Sequence, residues 1–170
     1  MQYKFSVFKE LLKTKDTPYE ADLVKIYDRL VKGKSKHIVD LIRAAKTKEE
    51  AERLKKTLPC ILFAGIFSQR NSNSCIKHSG LMVLDFDKYE TEEIMLEQRK
   101  LIEQNQHVIL LFTSPSGNGL KVVVRIPEAT KETHPKYYKK FYEDFNFDNF
   151  DAGCSNIDRV CYESYDPQPY

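Results

Sequence analysis

The sequence predicts an α+β protein: an RRM-like core of ferredoxin-like β-α-β-β-α-β order behind a helical N-terminal region. Three observations predict it. Apolar residues recur at helical spacing through the first third of the chain. The pattern turns β-like just after Pro59, and between Gly80 and Ser164 apolar extended runs alternate with two amphipathic helical stretches. The expected division is a helical region over 1–58 and an RRM-like core over 59–170.

Each element has a local reason. Leu23, Val24, Tyr27, Leu30 and Val31 follow helical spacing, as do Ile38, Leu41, Ile42 and Ala45 after the break at Lys32 to Ser35. Thr47 and Glu50 have capping-box spacing, and Ala51, Leu54 and Leu58 form an apolar stripe that Pro59 ends. Ile61 to Phe63 and Ile66–Phe67 read as strands, followed by a polar loop from Ser68 to Ser74. Leu81 to Asp87 is the first core strand. Thr91 is the expected N-cap of the next helix, with Glu92 and Glu93 complementing its dipole and Ile94, Met95, Leu101 and Ile102 apolar; the helix fades near Asn105. His107 to Thr113 reads as a buried strand, Ser114 to Gly119 as a turn and Leu120 to Ile126 as a strand. A helix from Glu132 to Asp144 puts Tyr137, Tyr138, Phe141 and Phe145 on one face, and a last strand covers Asp158 to Ser164.

Composition narrows the function classes. With 170 residues, 41% hydrophobic and 31% charged, the chain suits one globular domain with a sizeable core. A net charge of only +2 means that any nucleic-acid or nucleotide binding has to come from a local basic patch. Apolar runs such as Val108 to Phe112 are too short to span a bilayer, and Met1 to Phe5 lacks a signal-peptide pattern, so a cytoplasmic protein with no membrane partner is expected. Cys60, Cys75, Cys154 and Cys161 lack close C-x-x-C pairs; a site from Cys75, His78, Cys154 and Cys161 is conceivable, but reduced structural thiols are the expectation, not zinc.

The chemistry concentrates around Asp85 and Asp87. Alternate residues of a strand point to one face, so the two carboxylates project side by side with Phe86 turned away. Their repulsion would be relieved by a divalent cation bound through oxygen ligands, although an Asp that ends a buried strand and an Asp that opens a turn make an equally short pattern. Strand parity extends the group. If Met82, Leu84, Phe86, Val122, Val124, Ile126, Val160 and Tyr162 pack on the helices, then Asp85, Asp87, Lys121, Arg125, Arg159 and Glu163 share the open sheet face. Carboxylates beside cations suit a metal-bound, phosphate-rich ligand; charges on a solvated face that pair only with one another are the alternative. The turn Ser114 to Gly119 can bring backbone amides close to an anion and feeds directly into Lys121, while its Asn118 and Gly119 also suit an ordinary tight hairpin.

Three segments carry a family resemblance: His78 to Asp87, Ser114 to Lys121, and Phe150–Asp151 followed by Arg159 to Pro167. Together they resemble the three motifs of archaeo-eukaryotic primase and primase-polymerase domains, in particular the VirE N-terminal-like branch of bacteroidetes, their phages and mobile elements. Leu58, Pro59, Gly65, Phe67 and Arg70 are similar to that branch's segment upstream of the first motif, and the resemblance spans roughly residues 35 to 167. It implies an RRM-like core that joins nucleotides with two Mg²⁺ or Mn²⁺ ions. Asp85, Asp87 and Asp151 would be the catalytic metal ligands, with Asp148 and Asp158 as rivals for the third. Ser116, Gly117 and Lys121 would hold the incoming triphosphate, with Arg159 as a further phosphate contact, while His78 either lines the site or is structural. The implied partners are nucleoside triphosphates, a single-stranded DNA template and a replicative helicase, fused or in trans, in DNA replication of a bacterium or mobile element. Lys121 departs from the histidine that many relatives carry in the second motif. The chain also ends at Tyr170, directly after the third motif, as a cut-down domain or a naturally short protein would. A non-catalytic nucleic-acid-binding module and a metal-dependent nuclease are the alternatives.

Overall fold

The computed structural model describes residues 3–10 and 17–170, and their fold is α+β. In chain order the elements are β1 (Phe5–Phe8), β2 (Tyr19–Ala21), α1 (Leu23–Val31), α2 (Lys36–Ala44), α3 (Lys48–Lys55), β3 (Cys60–Leu62), β4 (Gly65–Phe67) and β5 (Cys75–His78). There follow β6 (Leu81–Phe86), α4 (Glu92–Glu103), β7 (Val108–Thr113), β8 (Leu120–Arg125), α5 (His134–Phe145) and β9 (Cys161–Tyr162). The helix starts follow from side-chain caps: Asp22, Thr47 and Thr91 accept from the amides of Lys25, Glu50 and Ile94 at the heads of α1, α3 and α4. Among the described residues no helix is long and apolar enough to cross a membrane.

Strands β6, β8 and β7 form an antiparallel sheet in that order. One face follows the expected parity: Met82, Leu84, Phe86, Val122 and Val124 pack with Met95 and Ile102 of α4 and Tyr138 and Phe141 of α5. The other face is not open. Leu81, Val83, Leu110, Phe112 and Val123 are buried against Phe5, Val7 and Ile61 of a second sheet, ordered β2-β1-β3-β9, and against Phe63 just after β3. The expected solvated face is therefore the floor of a second core, because its alternate positions carry Leu, Val and Phe as well as charges.

That second sheet corrects two expectations. The helical region over 1–58, of which residues 1–2 and 11–16 lie outside the described residues, contains β1 and β2 as well as α1 to α3. All four residues of β1 are buried, so it shows no alternation that periodicity could detect. The last strand is only Cys161–Tyr162, and it pairs with β3 instead of β6. Val160 and Tyr162 consequently pack toward Leu62 and Phe67 and not onto α4 or α5, while Cys161 faces the core between the sheets. The free edge of β6 instead receives a one-residue antiparallel bridge, Phe86 to Phe150. Tyr170 exchanges both backbone hydrogen bonds with Leu111 on β7, at 2.9 and 3.1 Å.

Candidate active site

The site lies where β6 and β8 reach the end of the inter-sheet core. Register makes Asp85 and Lys121 direct cross-strand neighbours, and their side chains form an ion pair. Lys121 Nζ also stands 3.6 Å from Asp87 Oδ1. From the segment before β9, Arg159 reaches over and donates to Asp85 Oδ2 through Nη2 at 3.0 Å and Nε at 3.3 Å. Asp85 is thus a buried carboxylate held by an ammonium and a guanidinium, the condition under which burying its charge is tolerable. Burial by itself lowers the Lys121 and Arg159 pKa values, but Asp85 above all outweighs this and both are raised, so both stay charged.

Asp151 arrives through aromatic packing. After α5 ends at left-handed Asn146 (φ 48°), the chain doubles back and Phe150 inserts beside Phe86, ring centroids 4.6 Å apart, and beside Tyr138 at 5.2 Å. Two backbone bonds complete the bridge: Asp87 N–H to Asn149 O at 2.8 Å and Asp151 N–H to Asp85 O at 2.9 Å. The Tyr138 hydroxyl donates to the Asp151 carbonyl at 2.7 Å. Its carboxylate accepts from the Cys154 thiol at 3.1 Å and the Gly153 amide at 2.8 Å. These two bonds, first the thiol's, with smaller help from Arg159 and Lys121, outweigh burial and hold Asp151 below the usual carboxylate range.

The turn before β8 closes the other side. Ser114 N–H donates to Gly119 O at 2.8 Å, Gly117 N–H to Ser114 O at 3.0 Å, and the Ser114 and Ser116 hydroxyls lie 3.1 Å apart. Gly117 adopts φ +84°, the left-handed region that favours glycine, and a Cβ there would only touch Arg43, which donates to the Ser114 and Tyr165 carbonyls. Gly119 is needed for another reason. A Cβ at that position would lie 2.7 Å from both Asp87 Oδ1 and Phe86 O, so only glycine lets the turn approach the carboxylates this closely.

A cleft of about 150 Å³ collects Asp85, Asp87, Ser116, Lys121 and Arg159. Asp151 lines an adjoining cleft of about 370 Å³ together with Asp87 and Asp148, so Asp87 belongs to both. Gly117 faces neither; it borders a cleft of about 440 Å³ beyond the turn, with Arg43, Tyr89 and Tyr165. Asp158 accepts from Asn156 and lines neither carboxylate cleft. Arg125 sits at the far end of β8, roughly 13 Å from Lys121 along the strand, and donates to Gln106 O. Glu163 is taken by a two-pronged bond from Arg29, both contacts 2.8 Å. His78 is buried in a pair with His134, 3.2 Å between ring nitrogens. The four cysteines are free thiols.

For a divalent cation the donors are right in kind: three carboxylates, oxygen only, at one edge of β6. They are not a ready-made cluster. Among the described residues no three His, Cys, Asp or Glu side chains stand together as a metal-holding group; Asp85 is engaged by Lys121 and Arg159, and Asp151 by Cys154 and Gly153. An ammonium and a guanidinium therefore stand against Asp85 as cationic partners. Sequence reasoning missed Glu52 and Lys55 of α3 and Tyr162 of β9, which line the same cleft; the stripe of Ala51, Leu54 and Leu58 orients α3, but no sequence signal says what its flank meets. It also missed Gly119.

A family model described as BT4734-like, N-terminal domain, matches residues 53–170. No curated protein matches the sequence. Among solved structures, the crystal structure of primase RepB' is similar at a TM-score of 0.43 and 11% identity, covering 95% of this chain and 44% of that one, so the chain spans less than half of that protein's length.

Proposed function

Because the chain belongs to the BT4734-like N-terminal domain family, we propose that this family's fold here carries a primase-polymerase-like nucleotidyltransferase site acting on nucleoside triphosphates and a single-stranded DNA template. One observation carries the reading. The Phe86–Phe150 bridge sets Asp151 against the strand that bears Asp85 and Asp87, and two partly buried cations and a serine turn flank these carboxylates. The motif resemblance supports it independently, since its three segments supply those residues. The order β6-β8-β7, with Asn149 to Asp151 at the edge of β6 where a fourth strand would run, supports a variant of the RRM-like core.

In this reading Asp85, Asp87 and Asp151 hold Mg²⁺ or Mn²⁺, which when bound neutralises charge on the triphosphate and lowers the pKa of the attacking 3′-hydroxyl. The chain's own groups do the rest. Lys121 and Arg159 exchange Asp85 for phosphate oxygens, so a buried carboxylate and two partly buried cations each trade one partner for another and none is left unpaired. Ser116 offers a hydroxyl to the same phosphates, and Gly119 keeps the turn pressed against Asp87. Gly117 acts through the turn's shape, because its amide is already used by Ser114. Unwinding of the template falls to a helicase in the same polypeptide or in trans, in replication of a bacterium or mobile element.

The test is incubation with a primed and an unprimed single-stranded template, labelled nucleoside triphosphates and Mg²⁺ or Mn²⁺, beside a variant carrying Asp85→Ala and Asp87→Ala. New product from the unaltered protein alone is the expected result. Template degradation without triphosphate would instead identify a nuclease, and template binding without either reaction a binding module.

A further inference from the structure

We infer that Lys55 is a third phosphate-binding cation of this site, delivered by α3 and held in reserve by Glu52. The inference rests on the nucleotide-binding reading above. Helix α3 leaves Lys48, Glu49 and Arg53 exposed, whereas the Lys55 side chain is only 20% exposed and lines the cleft with Ser116, Lys121 and Arg159. The reason is rotational. Ala51 and Leu54 pack toward the Val39, Ile42 and Leu58 cluster, and the flank next to that stripe, Glu52 and Lys55 three residues apart, is turned to the cleft.

A lysine so covered needs a partner that repays its lost hydration. The partner it has is Glu52, at 2.9 Å with 47% of its own side chain exposed, a spacing and exposure that contribute little. Lys121 and Arg159, by contrast, are committed to Asp85. A triphosphate entering the cleft carries more negative charge than Lys121 and Arg159 can neutralise even after they exchange Asp85 for phosphate oxygens. Lys55 is the cleft-lining cation with the weakest existing commitment, and its flexible stem lets it leave Glu52 for a phosphate oxygen. Glu52 acts as a competitor: it keeps Lys55 paired in the free protein and opposes an anion in the cleft.

The test is equilibrium binding of a fluorescent non-hydrolysable nucleoside triphosphate, with Mg²⁺, to the unaltered protein, Lys55→Met, Lys55→Arg, Glu52→Gln and Lys121→Met, each checked for folding by circular dichroism and melting. Lys55→Met is expected to weaken binding about tenfold, as for loss of one charge-assisted hydrogen bond, and to flatten the salt dependence. Lys55→Arg restores most of the affinity, and Glu52→Gln tightens binding several-fold, a gain that shrinks when Lys55→Met is combined with it. If the unaltered protein binds the triphosphate and Lys121→Met abolishes binding, but Lys55→Met binds as tightly as the unaltered protein, Lys55 is structural and the inference is overturned while the nucleotide site stands. If the unaltered protein binds no triphosphate, the nucleotide-binding reading fails and this inference goes with it.

Discussion

Replacing Phe150 tests the link between the aromatic core and the third carboxylate. The ring is 4% exposed and touches Phe86, Tyr138, Tyr142 and Phe145 at centroid distances from 4.6 to 6.3 Å. Phe150→Ala removes that packing and leaves a cavity under the bridge, a loss of about 3–5 kcal/mol, against a total stability on the order of 5–15 kcal/mol for a domain. With a urea slope of about 2 kcal/mol per molar, the unfolding midpoint falls by roughly 2 M. The chain has ten tyrosines and no tryptophan, so tyrosine fluorescence and circular dichroism are the probes. Phe150→Leu keeps part of the volume, costs about 1–2 kcal/mol and stays folded for binding work. In that variant Asp151 loses its firm anchor, and Mn²⁺ affinity read by electron paramagnetic resonance is expected to fall several-fold. A loss below about 1 kcal/mol for Phe150→Ala would refute the claim that this ring pins the segment to β6. Unchanged Mn²⁺ binding in Phe150→Leu would refute the claim that the bridge is what presents Asp151.

Other outcomes follow from the same geometry. Gly119→Ala forces a Cβ to within 2.7 Å of Asp87 Oδ1 and Phe86 O, so it should cost about 1–3 kcal/mol by melting and weaken triphosphate binding. Lys121→Met removes the ammonium from Asp85, and Mn²⁺ affinity without triphosphate should rise while triphosphate affinity falls; titration calorimetry reads both. Burial, with His78 adding to it, lowers the His134 pKa to about 4. A lowered histidine pKa means that the unfolded chain binds the extra proton first, so the stability it contributes is present above about pH 6.5 and is lost as the pH falls toward 4. Denaturant unfolding across that window should show a decline that His134→Gln flattens.

How much could be read without coordinates varies element by element. Helices α4 and α5 and strands β6 to β8 were legible, because each is long enough to show its period and Thr91 marks the head of α4. Parity correctly put Asp85 and Lys121 on one face and Leu84 and Val122 on the other. It failed at β1, four residues buried throughout, and at β9, where two residues carry no period. Parity also grouped Arg125 and Glu163 with the site, since alternation fixes which face a residue takes but not which end of the strand or which partner it meets; Arg29, more than a hundred positions away in sequence, claims Glu163.

Local period and motif spacing were enough for the α+β class, the core strands and helices, and the residue types of the candidate site. It took the folded chain to reveal that the charged sheet face is roofed by β1 and β3, that Asp85 is held by both Lys121 and Arg159, and that Asp151 and Lys55 come in from α5's return loop and from α3. Those are encounters between distant segments, set by how their apolar stripes pack, and no short window of sequence contains both sides of the contact.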